Sequence, residues 1–200
     1  MSARPVPDRT TAPAGPPDPD RIGSPAARPD AEPDGGLATA RAVAETVTDP
    51  ELPMLTLADL GVLRDVRTEA DGTVVVDITP TYSGCPALGV MRADLVHALH
   101  AAGFADVSVR TVLAPAWSTD RISPEGRRKL AAGGIAPPGP APVREPGPIP
   151  LRLGPSRRTA ACPLCGDADT EELSEFGATA CKALRRCRAC GEPFEHVKEV

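Results

Sequence analysis

The sequence predicts an α+β fold, a small three-stranded sheet covered by helices, followed by a separate cysteine-rich C-terminal unit. Three observations support this prediction. Apolar residues between positions 37 and 132 repeat at helical or strand spacing, in the order helix, strand, strand, helix, strand. Four of the six cysteines lie in two short repeats near the C-terminus. The 25 prolines are concentrated in two stretches that lack such periodicity.

Those proline-rich stretches divide the chain into four parts. Residues 1–36 mix Pro, Asp, Arg, Ala and Gly without apolar periodicity, which predicts a disordered tail. Residues 133–158 contain eight prolines and are predicted to form a Pro/Gly-rich linker. The folded units are therefore expected at residues 37–132 and 159–200.

The first folded unit should begin with a helix from Leu37 to Val47, because apolar residues recur on one stripe there and Pro50 prevents its continuation. Two strands should follow, one from Val62 to Thr68 and one starting at Val74. The pair Asp71-Gly72 between them is typical of a hairpin turn.

The second strand leads through a glycine and one cysteine directly into a second helix, which we interpret as the centre of the protein. Its apolar residues recur at helical spacing (Leu88, Met91, Leu95, Leu99, Ala102). Pro86 suits the first turn, which would place Cys85 at or next to the helix N-cap. Free N–H groups at that position favour an anion, so the thiolate of Cys85 should be more populated than that of a free cysteine. The alternative is that Cys85 is a small buried apolar residue that fills a turn.

A third strand, from Asp106 to Leu113, should complete the sheet, with Val107, Val109 and Leu113 on one face. The pair Ser123-Pro124 then predicts the N-cap and first residue of a short third helix, which a pair of glycines ends.

Two copies of one knuckle mark the C-terminal unit, Cys162-Pro163-Leu164-Cys165-Gly166 and Cys187-Arg188-Ala189-Cys190-Gly191. A C-x2-C turn directs two sulfurs to one point, and two such turns complete a tetrahedral four-sulfur site. Zn²⁺ is the expected ion, although iron would also fit four sulfurs. We expect the zinc at Cys162, Cys165, Cys187 and Cys190 to be structural, because so small a unit could hardly fold without metal.

Three strands should surround this metal, at residues 171–176, 183–186 and 193–198, and together they predict a zinc ribbon. Cys181 is left over in a loop of the ribbon. It is either a buried apolar thiol or an extra reactive or exchange ligand beside the metal site.

Composition limits the function and location of the chain. A net charge of -5 argues against nucleic acid or a membrane surface as the main partner. No apolar run has the length of a membrane span, and residues 1–36 lack the apolar segment of a secretory signal. Six cysteines without such a signal indicate metal ligands or reactive thiols in a reducing compartment, so we expect a cytoplasmic protein.

An enzyme that uses Cys85 as a nucleophile would need a nearby base. His97 and His100 lie three to four turns along the predicted second helix, which puts them at least about 18 Å from Cys85. Neither histidine can therefore activate this thiol within one chain.

Four short motifs, in this order, resemble the small α+β domain of the SufT-type and cytosolic iron-sulfur assembly factors: Asp49-Pro50-Glu51, Asp59-Leu60-Gly61, Thr79-Pro80-Thr81 and Cys85-Pro86. This resemblance covers roughly residues 38–115. Three further features extend it to residues 38–200: Trp117-Ser118-Thr119-Asp120, Ile135-Ala136-Pro137-Pro138, and a double-knuckle ribbon that contains Thr179-Ala180-Cys181-Lys182. The combination resembles the PaaD family, the D subunits of phenylacetyl-CoA oxygenase (epoxidase) systems.

The resemblance implies a non-catalytic accessory subunit in aerobic phenylacetate degradation, acting beside a di-iron oxygenase and a reductase with flavin and an iron-sulfur centre. It implies help in maturing the iron or iron-sulfur centres of these partners. Cys85 would hold iron or a cluster transiently, and Asp49, Glu51 and Thr79 would shape its surroundings. We expect Cys85, and not Cys181, to be the functional thiol.

The alternative is a structural or docking protein that uses its zinc ribbon to bind protein or, less readily, nucleic acid. Under either hypothesis, formation of a homodimer is left open.

Overall fold

A computed structural model of the chain describes residues 33–82, 84–142 and 160–200. Its helices and strands follow in this order: α1 (Pro33–Thr46), β1 (Leu63–Thr68), β2 (Val74–Ile78), α2 (Leu88–Ala101), β3 (Val107–Thr111), α3 (Pro124–Ala132), β4 (Ile135–Ala136), β5 (Thr170–Ser174), β6 (Lys182–Cys187) and β7 (Pro193–Val197). This α+β order confirms the predicted fold class. The predicted tail at residues 1–32 and the predicted linker at residues 143–158 lie outside the described residues.

The first sheet has the order β1-β2-β3, with β1 antiparallel and β3 parallel to the central strand. Strand β2 is the most deeply buried of the three because its valines and isoleucine contact the core. Helix α1 packs on β1 and on α2, while α2 packs on β3, so both helices cover the sheet. The hairpin turn between β1 and β2 is present, with Gly72 at φ +88°.

Two predicted boundaries of this unit are wrong. Helix α1 begins at Pro33, inside the predicted tail, because proline is tolerated in the first turn of a helix. Strand β3 ends at Thr111, and the side chain of Leu113 is 61% exposed instead of facing the core. The reason is that Thr111 pairs with Ile78, the last residue of β2, so no ladder partner remains for the residues that follow.

The loop before β1 is held in place by the segment around α3. The indole N–H of Trp117 donates to the carbonyl oxygen of Leu60 at 2.9 Å, and Lys129 pairs with Asp59 at 2.6 Å. Ser123 caps α3 by accepting the N–H of Gly126 at 2.8 Å, as the sequence predicts. This helix therefore packs onto the first unit through the loop that contains Asp59 and Leu60.

The C-terminal unit contains the second sheet, with the order β4-β7-β6-β5. Strands β5, β6 and β7 are antiparallel and correspond to the three predicted strands. Strand β4 comes from the predicted linker and pairs in parallel with β7, with Ile135 opposite Glu195. Assigning residues 135 and 136 to a linker is therefore wrong, because these apolar residues are buried on the open edge of β7.

Further contacts join the two units. Arg127 donates to the carbonyl oxygen of Pro138, and the N–H of Gly139 donates to the carboxylate of Glu199 at 3.1 Å. Val197 of β7 belongs to the hydrophobic core of the first unit. Among the described residues, no helix has both the length and the apolar character needed to cross a membrane.

Candidate functional site

Four cysteines of the C-terminal unit form a metal centre. The sulfurs of Cys162, Cys165, Cys187 and Cys190 all lie within 4.8 Å of one another. Cys162 is 3.8 Å from Cys190, and Cys165 is 3.5 Å from Cys187. A tetrahedron with Zn–S bonds of about 2.3 Å has sulfurs about 3.8 Å apart, so the donor set and its spacing fit a structural metal ion.

The knuckle backbone closes both turns and acts on the thiol of Cys162. The N–H groups of Gly166 and Gly191 donate to the carbonyl oxygens of Cys162 and Cys187. Burial by itself would raise the pKa of the Cys162 thiol, but hydrogen bonds from the N–H groups of Cys165 and Leu164 and from neighbouring thiols lower that pKa to about 7. At Cys165 the N–H of Asp167 lowers the pKa, but the thiol of Cys187 and burial outweigh it and raise the pKa to about 12. In the absence of metal, the thiolate is therefore favoured at Cys162 and not at Cys165.

A second candidate site is a cavity of about 200 Å³ between the two units. The first unit contributes the loop after α1, the turn before α2 and the segment around Trp117. The second unit contributes the residues before β6 and those at the end of β7. The lining residues are Asp49, Glu51, Leu52, Leu60, Thr81, Tyr82, Cys85, Trp117, Ile122, Ala180, Cys181, Val197, Lys198 and Val200. The cavity thus combines apolar walls with two thiols and two carboxylates.

Cys85 reaches this cavity from a turn that precedes α2. Its N–H donates to the carbonyl oxygen of Tyr82 at 3.2 Å, and its own carbonyl oxygen accepts from Leu88 at 3.3 Å. Ala87 is the N-cap of α2, so the prediction that Cys85 lies at or next to the N-cap is wrong by one residue. The reason is that residues 86 and 87 continue the turn and do not begin the helix.

The prediction of an enriched Cys85 thiolate is also wrong. Partial burial raises the pKa of this thiol, and the charges of Glu51, Asp49 and Cys181 raise it further. Only the N–H of Ala87 acts in the opposite direction. These surroundings therefore favour Cys85 as the neutral thiol.

The carboxylates have different roles at the cavity wall. Oδ1 of Asp49, a buried residue, accepts the N–H groups of Glu51 at 2.8 Å and Leu52 at 2.9 Å. These bonds fix the loop that carries Glu51 into the cavity wall. Asp49 thus positions the loop and raises the pKa of Cys85, whereas the half-buried carboxylate of Glu51 raises the pKa of both Cys85 and Cys181.

Thr79 is not brought to the cavity. Its hydroxyl donates to the carbonyl oxygen of Val112 at 2.7 Å and accepts from Arg64 at 3.2 Å. Its contacts tie the end of β2 to the residues after β3. Of the four residues expected to shape one site, the structure therefore brings together Cys85, Asp49 and Glu51.

Cys181 also lines the cavity, on the side contributed by the ribbon. Its carbonyl oxygen accepts from the N–H of Lys198 at 2.9 Å, and its sulfur lies 3.0 Å from the hydroxyl of Thr179. The carboxylate of Glu195 braces this loop through the N–H of Ala178 and through Nζ of Lys182. Cys181 thus lines the same cavity as Cys85 and is not one of the four cysteines of the metal cluster.

Tyr82 and Lys198 are polar cavity residues to which the sequence did not point. Lys198 follows β7, and its ammonium group lies 4.4 Å from the centre of the Phe176 ring. Neither residue belongs to a recognisable motif, so only the folded arrangement identifies them. His97 and His100 line a separate groove between α2 and β3.

Comparison with known proteins identifies both units. Residues 37–111 match the family described as "Iron-sulfur cluster assembly protein", and residues 148–198 match "PaaD zinc beta ribbon domain". The chain is 41% identical over 157 residues to the D subunit named "Putative 1,2-phenylacetyl-CoA epoxidase" of Escherichia coli, covering 78% of this chain and 89% of that protein.

Other relatives match less than half of the chain. The "Fe-S protein maturation auxiliary factor" of Porphyromonas gingivalis is 34% identical over 42% of this chain and 81% of that protein. A crystal structure of the DUF59 domain from Bacillus anthracis is 28% identical and covers 48% of this chain and 92% of that one, with a TM-score of 0.45.

Proposed function

Because the chain belongs to the PaaD family, the D subunits of phenylacetyl-CoA epoxidase systems, we propose that it is a non-catalytic accessory protein of such a system. It assists the maturation of the iron or iron-sulfur centres of the oxygenase and reductase in aerobic phenylacetate degradation. The name of the P. gingivalis relative, a maturation factor for Fe-S proteins, supports this role for the first unit.

The observation that carries this proposal is the placement of Cys85 in a cavity beside a carboxylate, while the histidines of α2 line a separate groove. Burial and Glu51 raise the pKa of the thiol, so Cys85 is protonated before cargo arrives. An incoming Fe²⁺ reverses this balance, because a cation beside the sulfur favours the thiolate. The proton leaves to solvent as the sulfur–iron bond forms.

The same electrostatics favour release of the iron. When a ligand of the partner protein takes the iron, the sulfur–iron bond breaks and Glu51 again disfavours the thiolate, so Cys85 takes up a proton. Neither step changes an oxidation state. A thiol with a raised pKa suits transient holding of cargo, whereas a permanent ligand would profit from a lowered pKa.

The four-cysteine centre has a different role in this proposal. Its closed donor set suits structural Zn²⁺, which would hold the second sheet together and leave no position for a substrate. Iron would also bind four sulfurs, but zinc forms the more stable complex with such a site.

A docking function for the ribbon is the second candidate. Leu164, Leu173 and Phe176 expose 61%, 41% and 60% of their surface on this unit, although they are apolar. Where exposed apolar residues form a contiguous patch, they mark a site at which proteins bind one another. The two functions are compatible, because a maturation factor must bind its client; self-association stays a prediction.

The test compares cells that carry Cys85→Ser with cells that carry His97→Gln. Cys85→Ser should leave zinc content and folding unchanged while lowering growth on phenylacetate and the cluster occupancy of the reductase. His97 lines the separate groove, so His97→Gln should behave as wild type. Wild-type growth and full cluster occupancy with Cys85→Ser would show that this thiol only fills space.

A further inference from the structure

Cys181 is a thiol that the proposed function leaves unused, although the ribbon brings it to the cavity of Cys85. We propose that Cys85 and Cys181 together form a two-thiolate site that binds one thiophilic divalent cation between the two units. That the natural cation is Fe²⁺ rests on the proposed function, but the existence of the site does not.

The two thiols come from opposite sides of one small cavity. Cys85 precedes α2, Cys181 precedes β6, and the cavity that both line measures about 200 Å³. Water occupies about 30 Å³ per molecule, so this volume accommodates an ion with several water molecules. The thiols are also close enough for charge on Cys181 to raise the pKa of Cys85.

The loop that carries Cys181 is held rigidly towards this cavity. The side chain of Lys182 is almost fully buried, and its ammonium group pairs with Glu195 at 2.7 Å. The N–H of Lys198 fixes the carbonyl oxygen of Cys181 from the next strand. These contacts, which continue the pairing of β6 with β7, hold the thiol at the cavity, as a metal ligand requires.

The charges around the thiols call for a cation. Burial raises the pKa of both Cys85 and Cys181, and Glu51 raises both further. Thr179 and Lys182 act in the opposite direction on Cys181, but the ammonium group of Lys182 is already paired with Glu195. Lys198 also lines the cavity, with its ammonium group over the ring of Phe176. Burial and Glu51 thus oppose two free thiolates in this cavity, and a cation shared between the sulfurs would offset that opposition.

The donor set also indicates how such an ion would be held. In the part of the chain that the structure describes, the ribbon cysteines are the only group of three or more potential ligands within 4.8 Å. Cys85, Cys181 and Glu51 do not form such a group, so the cavity offers two protein sulfurs and leaves the further positions to water or to a ligand from a client. An open site of this kind exchanges its ion more readily than a closed one. Binding of M²⁺ converts two thiols into two metal thiolates and releases two protons to solvent.

The experiment is a titration of zinc-loaded protein with Co²⁺ in the absence of oxygen. Co²⁺ binds thiolate sites more weakly than Zn²⁺, so it leaves the zinc of the ribbon in place. We expect one cobalt per chain in addition to one zinc, a thiolate-to-cobalt charge-transfer band, and two protons released per cobalt. The affinity for Co²⁺ should rise with pH, because protons compete with the ion for the two sulfurs.

Each cysteine has its own variant in this assay. Cys85→Ser and Cys181→Ser should each reduce the band by about half and weaken binding at least about tenfold, which corresponds to about 1.4 kcal/mol. His97→Gln controls for cobalt bound to the histidine groove and should leave the band unchanged.

Loss of the site in a variant could reflect misfolding, so each variant must retain one zinc per chain. Proton release by the wild type requires no variant, so it tests the two-thiolate site independently of folding. A wild type without the charge-transfer band, release of fewer than two protons, or a full band in Cys181→Ser would overturn the two-thiolate site. None of these results would overturn the proposed function, which the growth of Cys85→Ser decides.

Discussion

The reactivity of Cys85 depends on the competition between one N–H group and several negative charges. The N–H of Ala87 stabilises the thiolate, while partial burial and the carboxylates of Glu51 and Asp49 destabilise it. Burial and the two carboxylates outweigh the N–H group, so the thiol is kept neutral until a cation arrives.

Alkylation can measure this balance directly. Because the pKa of Cys85 is raised, its reaction with iodoacetamide at pH 7 should be slower than that of a free cysteine and should still increase above about pH 9. Glu51→Gln removes one like charge, so it should lower the pKa and speed the reaction at pH 7. The rate is read for the Cys85 peptide by mass spectrometry.

Glu192→Gln is the matched control, because Glu192 is exposed on the ribbon and does not line the cavity. It should leave the Cys85 rate unchanged. Equal rates in Glu51→Gln and the wild type would contradict the electrostatic role of Glu51.

Gly61 lets the loop before β1 approach the segment that carries Trp117. Its φ is +65°, and an added Cβ would lie 2.5 Å from Cβ of Arg121. Gly72 also has a positive φ, +88°, but a Cβ there would meet nothing within 4 Å. The two glycines thus share a left-handed backbone conformation, which an L side chain would strain, and differ in crowding.

Replacing each glycine by alanine separates these effects. Gly72→Ala should cost about 1 kcal/mol of stability through backbone strain alone. Gly61→Ala should cost at least about 2 kcal/mol more, because the loop or Arg121 must move. Denaturant unfolding at pH 7 measures both, and equal losses would show that crowding at Gly61 has no effect.

The sequence points to several cavity residues but not to their arrangement. Cys85, Asp49 and Glu51 lie in short motifs, but no motif shows that, besides burial, the charges of Asp49, Glu51 and the distant Cys181 act on the pKa of Cys85. Cys181 is 96 residues from Cys85, so no local pattern could show that both line one cavity. Thr79 was misplaced because a motif position does not reveal which way a side chain faces.

At the scale of elements, prediction succeeded where one face of a strand or helix is apolar. The three ribbon strands and the α3 cap lie within one or two residues of their expected positions. Strand β4 has two residues, too few for any period, and its partner β7 lies 60 residues later. Leu113 was misassigned because its apolar character continues the pattern after the ladder of β2 has ended.

The metal centre should determine whether the second sheet exists. We expect one zinc per chain, and removal by a chelator should unfold β5, β6 and β7, because structural zinc contributes about 10 kcal/mol or more to such units. Amide hydrogen exchange would record the lost protection. Cys190→Ser should lose the zinc, whereas Cys181→Ser should keep it; retained protection after complete chelation would contradict the prediction.

At the scale of the whole molecule, a polar contact ties the segment after β4 to the residues after β7. Nε2 of His196, a residue 1% exposed, lies 3.2 Å from the carboxylate of Glu199, which also accepts the N–H of Gly139. Burial opposes ionisation of Glu199, but His196 and Gly139 together lower its pKa to about 2. A lowered carboxyl pKa contributes stability above about pH 4.5, which is lost as the pH falls towards 2.

Glu199→Gln should therefore lower the free energy of unfolding at pH 7 by about 1 to 3 kcal/mol. The single tryptophan, Trp117, lines the cavity between the units, so its fluorescence reports their separation. Glu192→Gln is the exposed control and should change stability by less than about 0.5 kcal/mol. Identical unfolding curves for Glu199→Gln and the wild type would show that this contact does not contribute to stability.

The pairing of β4 with β7 also sets an order for folding. Hairpin β1–β2 closes over a few residues, but Ile135 meets Glu195 only after 60 residues of chain have been brought together. Closing a loop of that length costs about 3 to 4 kcal/mol in chain entropy, so it should follow the formation of both units. The cavity would then be the last part of the molecule to form, and a nascent chain could take up its cargo only once synthesis had passed β7.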